Sequence, residues 1–379
     1  MVIAELASHA RAAGRLGIDT EFVSESRYRA LLCLVQVVVP LPDGGQQIEV
    51  LDALDGFDPS PLAEVLADPA IEVVMHAGRQ DVAILRRCWG TPVAGLFDTQ
   101  VAAGFAGLGA QTGYVGLLAD VLGVRVAKTA SFTRWDARPL TAEQLSYARE
   151  DVERLLELAD AIGDRLRASG RLAWAAQECA IVERSSDERD PETVYERLPR
   201  IARLDKQSVA VARELAAWRE RTAERLDKPV STVLPDPSLL ELAKRKPAEL
   251  AALEHIRGLH AGRARQHGKE ILAAIERGRE APPIVLEVER SDHRPGDAPL
   301  VALAEALVRQ RALEAKLAYE LVASRADLTA IVRAARAGGE APVRTLEGWR
   351  RELVGGELLT LLAGSVTLAV GADGALRIS

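Results

Sequence analysis

LGIDTEFV, at Leu16–Val23, reads as a β-strand, and the amino-terminal half of the chain organises around it. Side chains alternate between the two faces of a strand, so Asp19 and Glu21 project together while Ile18 and Thr20 take the other face. Two further strands are expected at Leu32–Val39 and Gln47–Leu51, with the turn-forming PDGG of Pro42–Gly45 between them. Links this short pair consecutive strands antiparallel. A helix around Leu62–Ala67 leads to a fourth apolar run, Ile71–Met75, and helical patterns then cover Gln80–Cys88, Thr99–Ala106 and Val115–Leu122. Three strands, then a strand among helices, predict a mixed sheet covered by helices. One long helix is expected from Thr141 to about Ser169, capped by Thr141 with Gln144 as its partner three residues on. Its apolar stripe is Leu145, Ala148, Val152, Leu155, Leu156 and Leu158.

The chain has 379 residues, which at roughly 100–200 residues per domain suggests two or three domains. With 48% apolar and 27% charged residues it can build packed cores, which excludes disorder over most of its length. Cys33, Cys88 and Cys179 are scattered and form no CxxC pair. A disulfide framework or a zinc site is therefore not expected, and a reducing compartment is. The amino terminus lacks the apolar core of a signal peptide, and the most apolar stretch, Leu31–Pro40, is about half the length of a membrane span. A cytoplasmic protein without membrane contact is the expectation.

RSSDERDPE, at Arg184–Glu192, is a charged connector that marks a domain boundary. Beyond it the pattern is helical and is used twice. Ser208–Arg221, PVSTVLPDPSLLEL and LEHIRGLH resemble Leu300–Glu314, YELVASRADLTAI and LEGWRRELVG, an offset of about 90 residues. The proline-rich Ala281–Pro299 reads as an extended linker between the copies, and the last residues as a hairpin around Ala372-Asp373-Gly374. The expected units are 1–182, 203–282 and 296–379.

Four acids stand out. Asp19 and Glu21 share a strand face, and like charges held that close are tolerated mainly where a cation neutralises them, although a solvated strand end has the same pattern. Asp81, in HAGRQDVAIL, opens a helix, where it also suits the helix dipole. Tyr147 and Asp151 lie at i, i+4 on one helix face, with Arg149 and Arg154 nearby as ordinary salt-bridge partners. Together, Asp19, Glu21, Asp81 and Asp151 form an oxygen-only set suited to Mg²⁺ or Mn²⁺ rather than Zn²⁺. Two such ions can clamp the attacking and leaving oxygens of a phosphodiester.

The order IDTEF, HAGRQDVAIL, FDTQVAAGF and TRWDARPLTAEQLSYAREDV strongly resembles the ribonuclease D family, within the DEDD superfamily of 3′→5′ exonucleases. The resemblance implies an RNase H-like nuclease domain followed by two all-α, HRDC-like helical bundles. It implies that Asp19, Glu21, Asp81 and Asp151 bind two divalent ions, Mg²⁺ or Mn²⁺, and that Tyr147 orients the attacking water. Tyr147 stands four residues before the last Asp, which selects the tyrosine branch over the branch with His five before it; Ser146 holds that position here. A phenol with an ordinary pKa near 10 is a poor base at pH 7, so the metal must do most of the activation. Asp98, in FDTQ, matches a family motif but suits a helix N-cap. His76 is assigned either to local hydrogen bonding or to the site wall. Lys128 and Arg138, flanking the Trp135 loop, are candidates for the substrate backbone. Two departures are visible: only about 15 residues precede the first strand, where relatives usually carry more, and ESRYRALLCL lacks the family's proline. The implied activity releases nucleoside 5′-monophosphates from RNA with single-stranded 3′ ends, tRNA precursors in particular. A DNA exonuclease and a non-catalytic nucleic-acid adaptor are the alternatives, and a monomer is favoured.

Gly104-x-x-Gly107-x-Gly109 follows a helical stretch, which argues against a dinucleotide loop. His255, His260 and His267 have spacings unsuited to a one-face zinc pair and read as surface or groove residues.

The net charge of −7 argues at first against a nucleic-acid partner. Its distribution reverses that. Residues 1–160 hold 13 Lys and Arg against 22 Asp and Glu, a balance of −9, four of those acids being the metal candidates. Residues 203–280 hold 16 against 12, a balance of +4. KRKP at Lys244–Pro247 and RGLHAGRARQHGK at Arg257–Lys269 concentrate it, making Lys244, Arg245, Lys246, Arg263 and Arg265 candidate phosphate ligands.

Overall fold

β1 (Arg15–Val23) lies at the centre of a five-stranded sheet of order β3-β2-β1-β4-β5 in the computed structural model, which describes residues 2–125, 134–286 and 296–379. β2 (Leu31–Pro40) pairs antiparallel with β1, placing Asp19 opposite Gln36 and Glu21 opposite Leu34, and β3 (Gln46–Asp52) pairs antiparallel with β2. β4 (Glu72–Met75) and β5 (Leu96–Asp98) extend the other edge in parallel. The expected mixed sheet is present. β5 escaped the sequence reading because three residues show no periodicity.

Burial explains both faces. Leu16, Ile18, Val35, Val37 and Val73 face a layer formed by α1 (Val2–Ala13), α2 (Ser60–Ala67) and α3 (Arg79–Trp89). α4 (Thr99–Phe105) and α5 (Tyr114–Leu117) follow β5. Val38 and Val74 face Val152, Leu155 and Ala159 on the opposite side, from α6 (Ala142–Glu153) and α7 (Leu155–Ala168). The long helix expected over this span is thus two helices, with Arg154 out of helical geometry at φ −110°, ψ 8°. The break has a physical reason: the sheet twists, and a straight helix cannot follow it. α6 covers β2 and β3, whereas α7 crosses to β4. The Thr141–Gln144 capping box forms as expected. α8 (Leu172–Val182) completes this half.

The first helical repeat comprises α9 (Lys206–Leu226), α10 (Val230–Val233), α11 (Asp236–Arg245), α12 (Leu250–Leu253) and α13 (Ala261–Glu280) around Leu215, Leu239, Leu242 and Ile271. α9 and α13 cross so closely that a Cβ at Gly278 would sit 2.4 Å from the Val211 Cα, so only glycine fits there. The second repeat has α14 (Asp297–Glu314), α15 (Tyr319–Val322), α16 (Arg325–Arg336), α17 (Gly348–Arg350) and α18 (Gly356–Leu362). It ends in the expected hairpin, β6 (Leu368–Val370) with β7 (Leu376–Ile378).

The two copies diverge at their ends. Where the first closes with the 20-residue α13, the second has the seven-residue α18. Its core instead continues into the nuclease half: Leu307, Val322, Leu328 and Trp349 share one cluster with Phe105, Leu158, Ile162 and Ala175. Trp349 is 1% exposed, meets the Phe105 ring edge-on at 5.0 Å and stacks on Trp174 at 5.2 Å. Glu178 accepts from the Trp349 indole N–H at 3.1 Å and from both terminal nitrogens of Arg350 at 2.6 and 2.9 Å. Trp349→Ala is expected to lower unfolding stability by about 3–5 kcal/mol, the usual range for a buried Trp. Denaturant unfolding followed by far-UV circular dichroism measures this, and an unchanged midpoint would contradict the shared core.

Candidate metal centre and active site

Asp19 and Glu21 face the same side of β1, as the alternation required, and Asp151 reaches them from α6. One carboxylate oxygen from each lies within 4.8 Å of the other two. Asp81, on the first turn of α3, is 7% exposed and stands at the edge of this trio. The Thr20 hydroxyl, on the opposite face of β1, donates to it. Asp81 is close enough for its charge to act on Asp19 and Glu21, but its oxygens lie outside the 4.8 Å cluster.

The electrostatics follow from crowding. Burial, then the charges of Asp151 and Asp81, push Glu21 up to about 8. Asp151 is pushed up to about 7 by burial and by Glu150, and Asp81 to about 6 by burial, against the pull of the Thr20 hydroxyl. Asp19 is raised by burial and then by Asp81, Asp151 and Glu21. The Tyr147 phenol donates to Asp151, and burial and these carboxylates raise its pKa further, so it stays protonated at neutral pH. Its ring centroid lies 6.0 Å from that of Trp135, which is 2% exposed. Clustered carboxylates with no basic partner among the described residues are the donor set that hard divalent cations select.

The wall beside the trio is built by Asp98. It caps α4 by accepting from the Gln100 and Val101 amides, the role expected for it, and also accepts from the Ala77 and Gly78 amides at 3.1 and 2.9 Å. That clamp fixes the turn before α3, where Ala77 adopts a left-handed φ of 55°. His76, on the same turn, meets the Thr99 hydroxyl through Nδ1 at 2.9 Å. Thr99 spends its own hydrogen on the Met75 carbonyl, so Nδ1 carries the proton and Nε2 is the open nitrogen. Burial lowers the His76 pKa. The ring of Tyr114 lies 5.5 Å from His76, and its phenol, beside the Arg154 backbone, is raised by burial and by the charges of Asp151 and Asp19. Sequence reasoning missed Tyr114: it sits in no recognisable spacing with the acids, and only the fold brings it to them.

The other candidates lie elsewhere. Lys128 falls outside the described residues. Arg138 grips Asp52 with Nε and Nη2, both at 2.5 Å, and donates through Nη1 to the Trp135 and Ala137 carbonyls. The structure gives it a different job from the substrate contact expected, that of latching the Trp135 loop to the end of β3. Arg245 pairs with Glu241, and Lys246 pairs with Asp205 at 3.6 Å. Lys244 lines a cleft of about 930 Å³ with Arg200, Arg203 and Arg257. Among the described residues none of these four cations has an acidic partner, whereas Asp205 and Glu241 in the same cleft are already engaged. Arg263 and Arg265 lie on α13, Arg265 exposed and Arg263 half-buried. His267 was expected at the surface or in a groove but is buried, its ring T-shaped on Trp218 at 5.7 Å, because α13 turns this face to the core. The cysteines are all free, and no helix among the described residues is long and apolar enough to cross a membrane.

A mixed five-stranded sheet with clustered carboxylates over its central strand defines a nuclease of the 3′–5′ exonuclease class. The family model described as "3'-5' exonuclease" matches residues 2–167, and that of the HRDC domain matches residues 208–275. Ribonuclease D of Gluconacetobacter diazotrophicus is 39% identical over 96% of this chain and 91% of its own length. That of Granulibacter bethesdensis is 37% identical over 93% and 88%. The chain belongs to the ribonuclease D family and is a 3′–5′ exoribonuclease. The crystal structure of Escherichia coli RNase D, described as an exoribonuclease involved in structured RNA processing, superposes with a TM-score of 0.83 at 29% identity over 96% of both chains.

The raised carboxylates predict an inverted pH response. Their folded pKa values exceed the unfolded values of about 4, so the folded state holds protons that the unfolded chain has released. This contribution costs stability as pH rises from about 4 towards about 8, the upper limit set by Glu21. In EDTA, Glu21→Gln should therefore melt higher than the parent at pH 8 and equally at pH 4. Mn²⁺ should raise the parent's melting temperature more at pH 8 than at pH 5. Calorimetric melts that show Mn²⁺ acting equally at both pH values would contradict the crowded-carboxylate reading.

Proposed function

We propose that Asp19, Glu21, Asp81 and Asp151 hold two divalent ions, Mg²⁺ or Mn²⁺, and that the site removes nucleoside 5′-monophosphates one at a time from RNA 3′ ends. The observation that carries this is the trio of oxygens within 4.8 Å, with Tyr147 hydrogen-bonded to one of them, in a chain of this family. Bound there, the ions would polarise the phosphoryl oxygen and supply hydroxide near neutral pH. Asp19 and Glu21 offer ligands from one rigid strand; Asp151 completes the cluster from α6; Asp81, held by Thr20, closes its edge. Tyr147 remains protonated and acts by orientation, fixing Asp151 and the attacking water rather than abstracting a proton. The open Nε2 of His76 and the Tyr114 ring form a wall suited to the terminal nucleoside.

The units 1–182, 203–282 and 296–379 then divide the work between a nuclease and two HRDC-like domains. The cleft of Arg200, Arg203, Lys244 and Arg257 offers the RNA backbone cations that have no acidic partner among the described residues, with Lys128, Arg263 and Arg265 as further phosphate ligands. Structured RNAs with short single-stranded 3′ ends, tRNA precursors among them, are the substrates that suit an acidic cutting site and a separate basic grip.

Three measurements test this. On 3′-tailed RNA, Mg²⁺ or Mn²⁺ should support mononucleotide release and EDTA should abolish it; release of oligonucleotides, or equal rates on matched DNA, would count against the reading. Asp19→Ala or Asp151→Ala should abolish cleavage while RNA still binds, and Tyr147→Phe should slow turnover strongly with metal affinity unchanged. The pair Arg203→Ala with Arg257→Ala should weaken RNA binding and flatten its log–log salt dependence by about 0.7 for each phosphate left without its cation. A parental salt slope would remove the cleft from the RNA path.

A further inference from the structure

Gln36 is fully buried, at 0% exposure, and neither atom of its amide has a hydrogen-bond partner. Native proteins rarely leave such a group unpaired, because it surrenders its water and gains nothing in exchange. Its surroundings ask for an apolar residue. Leu34 and Val38 flank it on the same face of β2, Val50 stands opposite on β3, and Ala148 and Val152 cover that face from α6. The remaining in-register neighbour is Asp19, on β1, with Glu21 diagonally beyond it.

Directly opposed residues in an antiparallel pair hold their Cβ atoms about 4.5–5.5 Å apart, a gap that a glutamine side chain spans. Asp19 offers one oxygen to the cluster with Glu21 and Asp151. The Thr20 backbone N–H also reaches this carboxylate, but a carboxylate has about four lone-pair sites and can accept a further donor in this poorly solvated place. A neutral amide is the suitable one: a Lys or Arg would compete with the cation, and another carboxylate would add to the repulsion.

We propose that Gln36 is a positioning residue of the metal centre, its unpaired amide N–H turning to the Asp19 carboxylate when a cation binds and so setting that carboxylate's orientation. This rests on the reading of Asp19 as a metal ligand. Groups that orient metal ligands typically change affinity by about 10–100-fold when removed. Gln36 is therefore retained at the cost of an unpaired amide in the metal-free fold.

The test is a Mn²⁺ titration by isothermal calorimetry on the full-length, EDTA-stripped parent, Gln36→Leu and Gln36→Met proteins, alongside melts in EDTA. Gln36→Leu should melt no lower than the parent in EDTA, because an apolar side chain replaces an unpaired amide, yet its Mn²⁺ Kd should rise by about tenfold or more. Gln36→Met has nearly the same length and shape but no N–H to donate, so it should weaken Mn²⁺ binding as well, and it carries the test if the Leu variant does not fold. A parental Kd in either folded variant overturns the proposal, including the case where only the melting temperature drops, which marks a packing role. No Mn²⁺ binding by the parent overturns the metal reading itself, and the role of Gln36 with it.

Discussion

Mutual repulsion among four carboxylates is the constraint around which the nuclease half is arranged. At an effective dielectric of about 20, each pair of like charges a few ångströms apart costs on the order of a few kcal/mol. The fold brings Asp19, Glu21 and Asp151 within that range regardless, and keeps Asp81 alongside. It does so from rigid elements. β1 is the central strand, and both Asp19 and Glu21 are in register with β2, so they cannot drift apart. α6 is pinned by its capping box and by the burial of Ala148 and Val152 on the sheet, so Asp151 cannot swing away. The raised carboxyl pKa values are the visible residue of this conflict, and a divalent cation is its chemical resolution.

How far the sequence reveals this depends on which interactions are local. The strand bearing Asp19 and Glu21, the α6 face bearing Tyr147 and Asp151, and the Thr141 cap were legible because each is written in spacings of two, three or four residues. The break at Arg154 was not, because it answers the twist of a sheet assembled from distant strands. Neither were Tyr114 and Gln36. A tyrosine after glycine and a glutamine in an apolar strand have no local signature of function; their meaning comes from the strand register and the neighbours the fold supplies. Arg138 shows the opposite failure. Its position beside the Trp135 loop suggested a substrate contact, yet Asp52, 86 residues away in sequence, takes its guanidinium.

The two helical repeats resemble each other in sequence but close their cores differently. The first is self-sufficient, with the α9–α13 crossing tight enough to require Gly278. It touches the nuclease half chiefly through polar contacts: the Tyr28 phenol donates to Glu220 at 2.9 Å, and Arg27 pairs with Asp227 at 2.7 Å. The second repeat lacks a long final helix and borrows apolar surface from α4, α7 and α8 instead. That difference accounts for a family model that matches residues 208–275 but not the second copy. A repeat whose closing helix is replaced by another domain's surface keeps the fold while losing the sequence pattern.

The same division orders the charge. An acidic site cannot by itself attract a polyanion, since its uncompensated carboxylates repel phosphate as they repel one another. Cations bound at the site relieve that only locally, over a Debye length of about 8–10 Å at physiological salt. Attraction over longer range has to come from a surface where positive charge is not already cancelled. Several basic side chains of the first repeat fail that condition: Arg245, Lys246, Arg277 and Arg279 are each paired with an acid. Among the described residues, Arg200, Arg203, Lys244 and Arg257 meet it, in a cleft whose acids are engaged elsewhere. The positive charge open to a polyanion is therefore set not by the density of basic residues alone but by which of them, among the described residues, the fold leaves without an acid.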